Sequence, residues 1–132
     1  MITMNAMRKT IRYACLFAAC LMLGFVAFSQ SGDDPLDALK VCPDQQKLIF
    51  ENQFVRIIDD QVPVGGTEAM HHHPHGVVVY LADSTSASTT QDGKVTTSNR
   101  KANTAAWSEP ATHSVRNVSN TASHAIRIDI KY

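Results

Sequence analysis

The sequence predicts an all-β domain, and three observations carry that prediction. Short stretches rich in β-branched residues recur with turn signals between them, several alternate strictly between apolar and polar side chains, and no long amphipathic helical pattern follows residue 30. With 132 residues, 44% hydrophobic and 18% charged, the chain suits one small globular domain with a single core. Lys plus Arg and Asp plus Glu stand at 12 each, so the charge balance predicts affinity neither for nucleic acid nor for an anionic membrane surface.

The first element lies outside the domain. Arg8, Lys9 and Arg12 precede the apolar run "YACLFAACLMLGFVAF", Tyr13 to Phe28, which is shorter than the roughly 20 residues of a spanning helix and ends at the small residues Ala27 and Ser29. Residues 1–29 therefore read as a secretory signal cleaved after Ser29, which predicts export to the periplasm or the medium and no stable membrane insertion afterwards. An uncleaved anchor and a lipoprotein signal ending at Cys20 are the alternatives. Cleavage would remove Cys15 and Cys20 and leave Cys42 alone, so the exported chain forms no internal disulfide and its fold rests on packing. Cys42 itself reads as a partly buried structural thiol.

Residues 30–46 hold two prolines and little apolar pattern, which predicts a tether with at most one helical turn around 36–40. The domain is expected over 47–132. Its strands are read from "KLIF", "FVRIID", "VVVYL", "STSASTT", "KVTTSN", "TAAW", "HSVRNV" and "AIRIDIKY". Asp92-Gly93 between two of them is a hairpin signal, while "VPVGG" and "SEPATH" break the chain before His71 and His113. In "AIRIDIKY" the alternation predicts Ile126, Ile128 and Ile130 on the buried face and Arg127, Asp129 and Lys131 in solvent. About eight strands in so short a chain fit a sandwich or a small barrel, including a jelly roll that encloses a pocket.

Chemistry concentrates in "HHHPHG", residues 71–76, which holds four of the six histidines. Residues i and i+2 of a strand share a face, so His71 and His73 project together and His72 points away. Two neutral imidazoles side by side begin a site for Fe, Mn, Ni, Zn or Cu. Further ligands must come from elsewhere. His113, delivered onto a new strand by the proline turn of "WSEPATHSVRN", is the candidate, while His124 reads as a surface residue. His75 shares the parity of His71 and His73 and is a candidate fourth ligand, although Pro74 and Gly76 flank it.

These residues resemble the motifs of the cupins. "GGTEAMHHHPHG" is similar to the first cupin motif, with Gly65, His71 and His73 at the matching spacing, and "PATHSVRN" is similar to the second, through Pro110, His113 and Asn117. The resemblance covers most of residues 47–132 and implies a jelly-roll barrel holding a divalent transition metal on His71, His73 and His113. It departs from the family pattern where a glutamate is expected, because Val77 and Val78 stand there. The three-histidine subset of cupins shows that such a set can still bind metal, and Glu109 could act as a carboxylate near the ligands. Gly65 and Asn117 read as turn-shaping residues. Trp107, Phe54 and Tyr80 are expected in the core, and Arg56 could meet an anionic substrate if its side chain points inward.

Two functions follow. One is a metal-dependent oxygenase or isomerase acting on a small organic molecule, with no separate base evident in the sequence. The other is a non-catalytic metal or small-ligand binding and sensing module. The resemblance also implies a homodimer.

Overall fold

The structure, a computed structural model, describes residues 34–131. The signal expected over 1–29 lies outside the described residues, and no helix among those described is long and apolar enough to cross a membrane. After a short helix α1 (Ala38–Val41) come β1 (Gln46–Glu51), β2 (Val55–Val62), β3 (Thr67–His73), β4 (Gly76–Tyr80) and β5 (Ser84–Thr90). They are followed by β6 (Val95–Arg100), β7 (Thr104–Ser108), β8 (Ala111–Asn117) and β9 (Ser123–Ile130). The strands form two antiparallel sheets, ordered β1-β2-β9-β4-β7 and β3-β8-β5-β6. Side chains of both sheets line one internal cavity, so the sheets close on each other as the all-β reading predicts.

Local chemistry explains the corners. Gly65 turns the chain before β3 with φ +71, and Gly93 closes the β5–β6 hairpin with φ +83, a region that glycine enters without strain. Asn117 is 1% exposed and ties the β2–β3 corner to the β8–β9 loop. Its Nδ2 donates to the carbonyls of Val62 (3.0 Å) and Thr121 (2.8 Å), and its Oδ1 accepts from the Ser119 backbone N–H (3.0 Å). Gly76 is needed for a different reason, since a Cβ there would collide with the Ile128 carbonyl oxygen of the neighbouring strand. Gly76→Ala is expected to destabilise the fold by about 1–3 kcal/mol, the usual cost of overpacking, measurable as a lowered denaturant midpoint. A midpoint equal to wild type would contradict this.

The segment read as a tether is, in its described part, packed onto the barrel. The Asp37 side chain accepts from the Leu39 N–H (2.9 Å) and caps α1, the Leu36 carbonyl accepts from the His72 N–H (2.8 Å), and Ala38 and Cys42 are buried. Leu36, Ala38 and Cys42 are too few to show as a pattern in the sequence, yet they suffice to dock one turn on β3.

The final strand reverses the expected orientation. Ala125 (8% exposed), Arg127 (6%) and Asp129 (1%) face inward, whereas Ile126, Ile128 and Ile130 sit half-buried on the outer face. Alternation identifies two faces but not which one is inside. Here the interior is a polar cavity, and the apolar face continues outward across Ile57, Ile128 and Val77, which are register partners. Two aromatic expectations are corrected as well. Phe54 (62% exposed) belongs to the turn before β2, and Trp107 (53% exposed) lies on the edge strand β7.

Candidate metal centre

The site is assembled by strand register. His71 on β3 pairs directly with His113 on β8, so their side chains share a face, and His73 follows two residues later on the same face. A β-bulge between Glu68 and His71 adds one residue to β3. Two residues three apart would otherwise face opposite ways, but the bulge turns both inward, at 2% and 0% exposure.

The three rings pack edge to face, with centroids 4.6 Å (His71–His73), 5.0 Å (His71–His113) and 5.8 Å (His73–His113) apart. One nitrogen from each lies within 4.8 Å of the others, a grouping that can hold a metal ion. His71 Nδ1 donates to the Ala69 carbonyl (2.7 Å), with Cys42 Sγ beside it at 3.6 Å, which leaves Nε2 as the ligand atom. That Nε2 is buried without a hydrogen-bond partner. An unsatisfied buried polar atom costs about 1–3 kcal/mol, and a cation shared by the imidazoles would remove that cost. The residues present therefore fit a divalent metal bound by nitrogen.

Burial also sets the protonation state. It pushes His73 down to about 3, against the opposing pull of Asp129, and His113 down to about 4 with help from His71 and Arg127, while His71 is lowered too, again chiefly by burial. All three rings are neutral at pH 7, with lone pairs available. Because these values lie below the ordinary 6.5, the unfolded chain takes up protons first as the pH falls. The histidine contribution to stability is full above about pH 6.5 and is lost progressively toward pH 4. The raised Asp60 and Glu68 carboxyls act in the opposite sense, because there the folded chain takes up the proton first, so the expected result is comparative: chelated His113→Ala should lose less melting temperature than chelated wild type between pH 6.5 and 4.5, and equal losses would contradict the burial of that ring.

Around the ligands runs a network that the sequence reading missed. Asp129 Oδ1 lies 3.9 Å from His73 Nδ1 and accepts from Arg127 Nε (2.6 Å), while Arg56 donates to Asp129 Oδ2 (3.3 Å) and Asp37 Oδ2 (2.6 Å). Burial alone would raise the Asp129 carboxyl, but His73 and Arg127 beside it hold it below the usual range. Arg56 does point inward, as its parity allowed, but two carboxylates consume its guanidinium. Arg127 is likewise committed, donating also to Ser108 Oγ (3.2 Å) and the Pro74 carbonyl (2.9 Å).

The other candidates lie apart from the three rings. His75 follows Pro74 beyond the end of β3, where strand parity no longer applies. Its ring meets Glu109 (Nδ1–Oε2 3.0 Å) and stacks on Trp107 at 5.9 Å, outside the grouped nitrogens. Glu109, 72% exposed, takes the Trp107 Nε1–H (2.8 Å) as well and does not reach the three histidines. His72 lies near Thr112 Oγ1 (3.2 Å), and His124 near Asp59 Oδ1 (2.7 Å). Cys42, by contrast, lies against His71; it is 1% exposed and its thiol is pushed up to about 11 by burial and by Glu68, in keeping with the structural thiol the sequence predicts.

The cavity beside the histidines has a volume of about 270 Å³. Two carboxyl groups, Asp60 and Glu68, line it. Burial pushes Asp60 up to about 8, with Glu68 adding to the rise, and burial raises Glu68 against the hydrogen bond it accepts from Gln46 Nε2 (2.5 Å).

Fold and site together define a double-stranded β-helix domain with a histidine group in its polar interior. A cupin domain from Bordetella pertussis Tohama I is similar at 26% identity and a TM-score of 0.61, with 66% of this chain and 92% of that one covered. A Klebsiella pneumoniae protein with a double-stranded β-helix domain (16% identity, TM-score 0.52, 64% and 74% covered) shares the fold. So does an RmlC-like cupin family protein from Methanocaldococcus jannaschii (11%, 0.51, 65% and 80%). The chain folds as a small cupin domain. No protein-family model and no curated protein matches the sequence.

Proposed function

We propose that this domain binds a divalent transition metal through His71, His73 and His113 and acts on a small organic molecule in the adjoining cavity as a metal-dependent oxygenase or isomerase. The observation that carries the proposal is the buried, unpartnered His71 Nε2 grouped with two further neutral imidazoles. A metal held by three nitrogens keeps open positions and supplies Lewis acidity or a place for O₂. The chain's own part is to bind and orient the molecule in the cavity, and to hold a proton at Asp60, whose raised value leaves it largely protonated at neutral pH. That carboxyl supplies the acid–base group the sequence did not reveal, and it favours an enzyme over a binding and sensing module. The test is O₂ uptake and product analysis by metal-loaded protein across thiols, flavonoids and diketones. Turnover that falls about 100-fold or more in Asp60→Asn, within the usual range for a lost acid–base group, supports the enzyme. Metal-loaded protein inert across the panel supports the module.

Export belongs to the proposal on the sequence of residues 1–29 alone, and a homodimer belongs to it on other grounds. The dimer is supported by an apolar row across the outer face of the larger sheet, Phe50–Ile57–Ile128–Val77–Trp107, with Phe50 49% and Trp107 53% exposed at its ends. Sedimentation is expected to give a dimer for wild type and a monomer for Phe50→Glu with Trp107→Glu. A monomeric wild type would remove the dimer from the proposal.

A further inference from the structure

We infer that the cavity selects small organic carboxylates and that Arg100 is the residue that reads the carboxylate, an inference that rests on the cavity being the ligand site proposed above. Two arginines line the cavity. Arg127 spends its donors on Asp129, Ser108 and Pro74. The Arg100 side chain makes no hydrogen bond or ion pair among the described residues. Its guanidinium packs on the Tyr80 ring, whose centroid lies 5.2 Å from the guanidinium carbon. The ring holds the guanidinium by its face and leaves the edge donors unspent. A half-buried arginine with unspent guanidinium donors in a cavity wall offers a planar fork suited to a carboxylate.

Register shows what surrounds it. Arg100 is the cross-strand partner of Ser84 at the end of the β5–β6 pair, and Ser84, Ser86 and Ser88 share one face of β5 along the cavity wall. Val62, Val78 and Ala106 supply apolar wall on other strands. The ligand this describes has a carboxylate at Arg100, an apolar body against the valines, and hydroxyl or carbonyl groups within reach of the serine row. A lone unpaired cation fits a monoanion better than a phosphate dianion.

The test is calorimetric titration of the full chain, chelated and metal-loaded, with matched acids and amides: lactate and lactamide, benzoate and benzamide, 4-hydroxybenzoate and 4-hydroxybenzamide. Phenyl phosphate is the further arm. In wild type at least one carboxylate should bind about tenfold or more tightly than its neutral amide, as a charge-assisted pair allows. In Arg100→Gln that ratio should fall to about one, with metal content unchanged. Equal binding of every acid and its amide by wild type, a ratio that survives Arg100→Gln, or tighter binding of phenyl phosphate than of any carboxylate would overturn the assignment. The wild-type comparison does not depend on how any variant folds. The chelated arm is readable even if no metal binds, so failure of the metal proposal and failure of the carboxylate proposal are told apart.

Discussion

Replacing Asp129 with alanine is expected to destabilise the domain by about 3–5 kcal/mol, the cost of leaving buried charge without its partner. The carboxylate is 1% exposed and stands between Arg127 Nε at 2.6 Å and Arg56 Nη2 at 3.3 Å. Removing it leaves Arg127, itself 7% exposed, with a stranded cation against β9. Out of water neither arginine can recover the loss by hydration, and Asp37, 21% exposed, reaches only Arg56. Asp129→Asn keeps the volume and part of the hydrogen bonding, so it should cost less, and the difference between the two variants isolates the charge. Denaturant unfolding checks both, and an alanine variant within 1 kcal/mol of wild type would show that the network carries little. The same carboxylate lies 3.9 Å from His73 Nδ1. Both variants should therefore weaken metal affinity by about 10- to 100-fold, the usual effect of losing a group that orients a ligand histidine.

The second large effect is expected from the metal itself. A ligand that binds only the folded state stabilises it by about 4 kcal/mol when present at a thousand times its dissociation constant. For a domain of this size each kcal/mol moves the melting temperature by roughly 4–8 °C. Saturating the chelated protein with the preferred divalent ion should therefore raise the melting point by more than about 15 °C. His113→Ala should abolish most of that rise, since two histidines from one strand remain. The ion should leave Gly76→Ala responsive, because that substitution damages packing and not the ligands. A wild-type protein whose melting point ignores every ion tested would oppose the proposed centre.

The fold was largely legible because β-branched runs, the Asp92-Gly93 turn, and Pro63 and Pro110 before His71 and His113 act locally. The grouping of His71, His73 and His113 was legible through parity and motif spacing. What escaped has physical causes. Alternation in "AIRIDIKY" shows two faces equally well, and only the polar interior decides that Arg127 and Asp129 face inward. Glu68 is three residues before His71, so simple parity sets it on the opposite face, and the bulge that reverses this leaves no mark in the sequence. Parity for His75 was counted past Pro74, where the strand has ended. The role of the serine row was not legible, because nothing in "DSTSASTT" shows that one face closes a cavity. Arg56 and Arg100 are indistinguishable as text, and their different roles come from two carboxylates, Asp37 and Asp129, meeting one and the Tyr80 ring meeting the other.

The most direct measurement is elemental analysis of the purified protein beside His71→Ala, His73→Ala and His113→Ala, each checked for folding by circular dichroism. One divalent transition metal per chain in wild type and a loss of at least 90% in each folded variant is the expected result, as an order of magnitude for removing one of three ligands. Stoichiometric metal retained in all three variants, or none in wild type after exposure to Fe, Mn, Ni, Zn and Cu, would contradict a centre built on these histidines.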